Sequence, residues 1–517
     1  MKQPRNSWAR AWMPAGVHRI ALITQRAPHR IHRALSAAAV LACAATAGPL
    51  LAAPTSTAGD SLVAASLERI AMRGDLTSLH RSDLTDVRNE LQHVYAPRRW
   101  APIWTVNGAL TPSARSLLAS LARVSERGLD PRDYDVPRLL TIGQTAIVDL
   151  DERAEFDMML SVAALRVLRG LYFGRVAAAD AFPTLHITRD SVNLAAVVTQ
   201  LVSSGTPAAI LDAAEPSLAP YRYLKRALAS YLSRADTDTL ARARVAQIAI
   251  TMERWRWLPR NPATPAVIVN IPAYELDVWW ANSDSAVLHM DVVVGNTGTH
   301  RTPIFADTIR SVEFAPYWIV PLTIAKAELM PVALRDPHIL SVNNYEIVTR
   351  RGKVVVPTVQ SLRMVLAGAA FIRQLPGGSN SLGRAKFLFP NVYDVYLHDS
   401  PVQSDFARAR RDQSHGCIRI ADPKGLAMWL LRSQSEWDGA RIDTALNGRT
   451  PTRVMLAQGV PVYLFYATAV AQPDGGIRFH DDIYGHDAAL GALLAQDYPN
   501  GAVMSEATGS APADRDQ

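Results

Sequence analysis

The chain has 517 residues, 49% of them hydrophobic, which is enough apolar side chain for two or more domains with cores of their own. A formal charge of +7 and a pI near 9.4 suggest an acidic polymer as partner. The whole excess, however, comes from Lys2, Arg5, Arg10, Arg19, Arg26, Arg30 and Arg33, and acids balance bases from residue 34 onward, which ranks nucleic-acid binding last.

The basic segment runs into a short apolar stretch of small residues, Ala34 to Ala47, ending in Ala45-Thr46-Ala47. Residues 1–53 therefore read as a secretory signal with cleavage after Ala47 or Ala53. Translation from an internal Met13 and retention as a membrane tether are the alternatives, and a lipoprotein box at Val40-Leu41-Ala42-Cys43 ranks below ordinary cleavage. Cleavage removes Cys43 and leaves Cys417 as one thiol with no possible internal disulfide. A single thiol in an oxidising compartment points to chemistry rather than scaffolding.

From about residue 60 to 255 the apolar residues recur at helical spacing. Thr111-Pro112 reads as an N-cap and first-turn proline ahead of Leu117, Leu118, Leu121 and Val124, with a stop at Gly128. A longer helix is predicted from Asp151 to Gly174, and another after Pro220 through Tyr221, Leu224 and Leu228. Arg254-Trp255-Arg256-Trp257 could stack bases, but reads better as an interdomain seam in which tryptophans bury and arginines snorkel. Near Pro259 the period changes to that of strands. Runs at 266–270, 274–279 and 287–295 are followed by β signals at 311–314, 345–349, 353–356, 371–374, 386–389, 395–398 and 462–466. The expected fold is α+β, with a helical domain over 60–255 and a β-rich domain over 260–490. Residues 321–374 form a long insertion, and the small, polar tail at 505–517 is expected to be disordered.

The chemistry concentrates in Ser414-His415-Gly416-Cys417-Ile418-Arg419, with His398 nineteen positions upstream of the cysteine. A free thiol is mostly protonated at neutral pH, so a nucleophilic Cys417 needs an imidazole or another positive influence to bring its pKa down. Gly416 would let the main chain expose a pair of N–H groups toward an oxyanion. Two plainer readings compete. A lone cysteine is often only a small core residue, and a zinc site from His398, His415 and Cys417 lacks a fourth ligand at close spacing.

Tyr396-Leu397-His398-Asp399-Ser400-Pro401 followed by Ser414-His415-Gly416-Cys417-Ile418-Arg419 resembles the active-site signature of the L,D-transpeptidases. The segments 373–383 and 386–391, Asp482-Ile483-Tyr484-Gly485, Glu253 to Trp257 and Gly128 to Tyr134 are similar to the large Gram-negative subgroup, so the likeness covers nearly the whole mature chain. One departure stands out: Tyr231-Leu232-Ser233 passes to Met252-Glu253-Arg254 in about twenty residues, which leaves no room for that subgroup's inserted peptidoglycan-binding module.

The resemblance implies a periplasmic enzyme with a β-sandwich-like catalytic domain that needs no cofactor or metal and has peptidoglycan stem peptides as its partners. The donor would be a tetrapeptide stem, cut between meso-diaminopimelate and D-alanine, and the product a 3→3 cross-link to the diaminopimelate amine of a second stem. Cys417 would be the nucleophile and His398 the base. His415 would support the site and Gly416 the oxyanion, while Arg419, Ser414 and Asn380 would touch substrate. For Arg419 a structural ion pair weighs equally, and the group that orients His398 is either Asp399 or a backbone carbonyl. The insertion at 321–374 would cap the site as a mobile lid or be a loop-rich extension. The rival functions are an L,D-carboxypeptidase or cross-link hydrolase that uses water, and a non-catalytic wall-binding protein.

Overall fold

The structure is a computed structural model that describes residues 58–188, 191–262, 264–280 and 283–496. The expected leader and disordered tail lie outside the described residues.

In the helical half, α1 (Pro112–Leu121) starts as the Thr111-Pro112 pair requires, with the Thr111 hydroxyl accepting the Ala114 N–H. It ends earlier than Gly128; a short 3-10 turn, Val124–Arg127, fills the gap, and Gly128 adopts a left-handed φ of 70°. The central helix α2 (Leu150–Phe173) is capped by Asp149 and buried on nearly every face, with the charged Arg153, Asp157 and Arg166 among its buried side chains. Its buried Asp157 is satisfied by the N–H groups of Ile103 at 3.0 Å and Trp104 at 2.8 Å and by the Tyr95 hydroxyl at 2.7 Å. This is what a polar group removed from water requires. Helix α3 (Ala219–Leu232) passes through a short turn into α4 (Thr239–Trp255), so one helix fills the interval in which an inserted module would sit.

Arg254, Trp255, Arg256 and Trp257 are all buried, and the arginines do not snorkel. Arg256 donates to Glu253 at 3.0 Å and to the Tyr221 hydroxyl at 3.1 Å, and Arg254 is paired with Asp487 near the C-terminus. The seam is thus ionic as well as aromatic, because each guanidinium group is paired with a carboxylate within it, Arg256 with Glu253 and Arg254 with Asp487.

The strands that build the β-rich half are β1 (Ala266–Asn270), β2 (Glu275–Trp279), β3 (Leu288–Gly295), β4 (Phe305–Phe314), β5 (Trp318–Ile319), β6 (Tyr345–Thr349), β7 (Val354–Val355), β8 (Ala370–Gln374), β9 (Ala385–Leu388), β10 (Leu397–His398), β11 (Asp412–Ser414), β12 (Ile418–Ile420) and β13 (Thr452–Phe465), followed by a short hairpin of Ala469–Ala471 and Ile477–Phe479. The main sheet runs β11-β3-β12-β10-β9-β4-β13-β1-β2, and β2 pairs back onto β3, so the sheet closes on itself. Closure removes the exposed edges that an open sheet would leave. Side chains such as Val267, Leu276, Val292, Val312, Phe387, Leu397, Ile418 and Val462 fill the interior. α3 and α4 cover the outer face of β1 and β13, where Trp255 meets Ile268 and Phe465.

The insertion is a small folded unit. Strands β5, β8, β6 and β7 form its own four-stranded sheet, helix α5 (Val359–Leu366) packs against it, and Val320, Met330, Leu340, Ile347, Leu362 and Ile372 make a separate core. A loop-rich extension therefore does not describe it. Beyond the cysteine loop, α6 (Pro423–Leu430) is capped by Asp422, and α7 (His486–Ala495) ends the described chain.

Candidate active site

The parallel pairing of β10 with β12 sets Leu397 opposite Ile418 and His398 opposite Arg419. Strand alternation then divides the residues between two faces. Leu397, Ile418 and Ile420 enter the core, while Tyr396, His398, Cys417 and Arg419 share the outer face. These four line a cavity of about 690 Å³, closed on its other side by Trp318, Ile324 and Glu328 of the insertion.

Cys417 is half-buried, and its thiol donates to the Asp394 carbonyl at 3.6 Å. Tyr396 flanks the sulfur with its hydroxyl and its backbone N–H. Burial pushes the thiol up to about 11, against the lowering effects of Tyr396 and Arg419. The expected depressed thiol is therefore corrected: desolvation outweighs every favourable partner in this state.

His398 is buried, and its Nδ1 lies 2.6 Å from the Asp399 carbonyl oxygen. A carbonyl can only accept, so Nδ1 carries the proton and Nε2 is left as the acceptor nitrogen of the ring, with the Leu382 backbone also lying against the imidazole. Burial lowers the imidazole to about 4, so the ring is neutral near pH 7. The orienting group is thus a backbone carbonyl. The Asp399 carboxylate is taken up by the N–H groups of Arg384 at 2.8 Å and Ser400 at 2.7 Å. Gly383, at φ +62°, is required beside it, since a Cβ there would meet that carboxylate at 2.4 Å. Among the described residues no hydrogen bond joins His398 to the thiol.

The other expected site residues divide. His415 is exposed on the cavity rim, with Nε2 2.7 Å from Glu328 of the insertion and its ring edge-on to His300. Ser414 is buried and works within the loop: its hydroxyl accepts the Gly416 N–H at 3.1 Å and donates to the Cys417 carbonyl at 2.6 Å. Gly416, at φ +110°, therefore has its own N–H occupied and does not offer it to an oxyanion. Arg419 lines the cavity but is held by Asp405 at 3.1 Å, so it is an ion-paired wall residue rather than a free cation. Asn380 is a correction. It is fully buried, its amide donates to the carbonyls of Pro316 at 3.1 Å and Leu375 at 2.9 Å, and its carbonyl accepts the Leu382 N–H at 2.8 Å. With every polar atom in use it braces the turn before β9 and cannot reach a substrate.

Tyr396 is the neighbour of the thiol that the sequence reading did not single out. Its signal was period-two spacing with His398 on a strand parallel to the cysteine strand, which needs the pairing partner to be known. No group of three or more His, Cys, Asp or Glu side chains among the described residues is placed to hold a metal ion.

Comparison with known proteins agrees with this geometry. Residues 264–464 match the family model of the L,D-transpeptidase catalytic domain, and residues 89–228 match that of a scaffold domain. The chain therefore carries an L,D-transpeptidase catalytic domain, β-rich, behind a helical scaffold domain. It is also similar to a Haemophilus influenzae protein named "Putative L,D-transpeptidase", at 27% identity over 411 residues, covering 77% of this chain and 78% of that protein.

Proposed function

We propose that the protein is an exported peptidoglycan L,D-transpeptidase that forms 3→3 cross-links through a thioester on Cys417. The observation that carries this reading is a thiol at the wall of a 690 Å³ cavity, sharing one sheet face with a neutral, carbonyl-oriented imidazole. The cavity walls carry both charge signs, Lys386 and Arg419 with Asp394 and Glu328, which suits a zwitterionic stem peptide.

His398 Nε2 takes the thiol proton as the sulfur leaves the Asp394 carbonyl and adds to the carbonyl carbon of the L-centre of meso-diaminopimelate. The C–N bond to D-alanine then breaks, and the departing amine takes the proton back from His398. The diaminopimelate amine of a second stem attacks the thioester, loses a proton to His398, and the thiolate leaves. One amide replaces another, so no energy source is consumed. The leader would deliver the chain to the periplasm.

Incubation with disaccharide-tetrapeptide, followed by mass spectrometry beside Cys417→Ala, tests the reading. Cross-linked dimers with released D-alanine support it. Tripeptide alone assigns water as the acceptor and makes the protein a carboxypeptidase. Products that persist in the Cys417→Ala protein would overturn the mechanism.

A further inference from the structure

The Asp482-Ile483-Tyr484-Gly485 motif lies far from the cavity lining in sequence, yet it reaches the cysteine loop from behind through one residue, Thr302. The Tyr484 hydroxyl donates to the Gly295 carbonyl at 2.6 Å and accepts the Thr302 N–H at 3.2 Å. Tyr484 is itself fixed: its N–H donates to the Tyr466 hydroxyl at 2.9 Å, and that hydroxyl donates to Asp482 at 2.7 Å. Thr302 is 1% exposed. Its hydroxyl oxygen accepts the Gly295 N–H at 2.8 Å, so its single proton is directed to the Gly416 carbonyl at 2.9 Å. Gly295 cannot be anything larger, since a Cβ there would meet the His300 carbonyl oxygen at 2.1 Å.

The consequence follows from peptide planarity. In a trans peptide the carbonyl of Gly416 and the N–H of Cys417 point in opposite directions. With that carbonyl drawn back toward buried Thr302, the Cys417 N–H is turned to the opposite, cavity-facing side. Among the described residues it has no hydrogen-bond partner there, whereas the Gly416 N–H is consumed by Ser414.

We infer that Thr302, held by Tyr484, is a positioning residue that aims the Cys417 N–H as the oxyanion donor. The inference rests on the thioester reading above and adds to it the device that sets the donor's direction. Thr302 touches no reacting atom; it acts through the Gly416–Cys417 peptide.

The test compares two reactions of Cys417 in the full-length protein, each followed by mass at the Cys417 peptide. In acylation by a carbapenem, sulfur adds to the β-lactam carbonyl, the ring C–N bond opens and the ring nitrogen takes the thiol proton, so an oxyanion must be stabilised. Alkylation by iodoacetamide displaces iodide and forms no oxyanion. Thr302→Val should slow acylation roughly 100-fold, the effect of losing one oxyanion donor, and leave alkylation within about twofold of wild type. Thr302→Ser keeps the hydroxyl and should restore acylation to within about threefold of wild type.

Tyr484→Phe should show the same split at about tenfold, which keeps the test available if the valine variant fails to fold. Wild-type acylation rates in both Thr302→Val and Tyr484→Phe, or equal losses of acylation and alkylation, would overturn the inference while leaving the thioester reading intact. A wild-type Cys417 that alkylates but never acylates would overturn the thioester reading itself.

Discussion

Two buried polar regions of this molecule meet the same desolvation and answer it differently. At the seam, Arg256 is buried beside Glu253 at 3.0 Å and Tyr221 at 3.1 Å, and Arg127 lies 2.9 Å from buried Glu215. Burial works against the Arg256 charge, but Tyr221 and Glu253 more than offset it, and the guanidinium stays firmly protonated. On the cavity face, Cys417 and His398 are given mainly carbonyl and hydroxyl neighbours, and burial drives the thiol up to about 11 and the imidazole down to about 4. A close counter-charge makes a buried group a structural ion. Without one, the group stays neutral and keeps a proton, or a place for one, that can move during a reaction.

The largest effect that should separate the regions is on turnover. Cys417→Ala should lower transpeptidation by about 10⁴-fold or more while shifting unfolding free energy by less than about 1 kcal/mol. An equal loss of fold and activity would erase the distinction. The converse variant, Glu253→Ala, should cost about 3–5 kcal/mol in urea unfolding, because it strands a buried guanidinium. It also strands the Val176 N–H, which now donates to Glu253 at 2.9 Å. A loss under about 1 kcal/mol would show that the seam is not held by its charges.

The proton inventory of the cavity face can be read directly. A thiol at about 11 gains thiolate tenfold per pH unit below that value, so iodoacetamide alkylation of Cys417 should climb steadily from pH 6 to 9. A plateau above pH 6 would mean a thiolate–imidazolium pair, and the two regions would then be alike. His398, lowered to about 4, stays neutral above that pH and loses its acceptor only below it, so turnover should fall on the acid side only near pH 4. The smallest effect belongs to the rim. Glu328→Gln breaks a contact with His415 that is 40% and 51% exposed on its two side chains, and should change stability by less than about 0.5 kcal/mol. A larger loss would make the insertion contact a third structural region.

Much of the fold was legible because it is local. The Thr111-Pro112 start, the strand over 266–270 and the long buried helix ending at Gly174 follow from capping, alternation and period, which need only near neighbours in the chain. The 14-residue β13 was expected only over 462–466, because its first half is largely exposed and lacks alternation, yet it is kept extended by pairing with β4. The insertion's helix α5 and its separate core were likewise not legible, since they depend on which short apolar runs meet in space. Within the site, the wall role of Arg419 depends on Asp405, fourteen residues away, and that of Asn380 on carbonyls that the turn brings to it.

The sequence by itself determined the order of helical and β-rich halves, the cysteine with its two histidines, and the family they resemble, because side-chain periodicity and residue chemistry are written along the chain. Only the tertiary structure decided the protonation of the pair, the carbonyl that orients His398, the loss of the Gly416 N–H to Ser414 and the reach of Tyr484 to the cysteine loop. Burial and hydrogen-bond geometry depend on what lies opposite in space, and the closed sheet sets β12 between β10 and β3, the latter more than a hundred residues earlier in the chain.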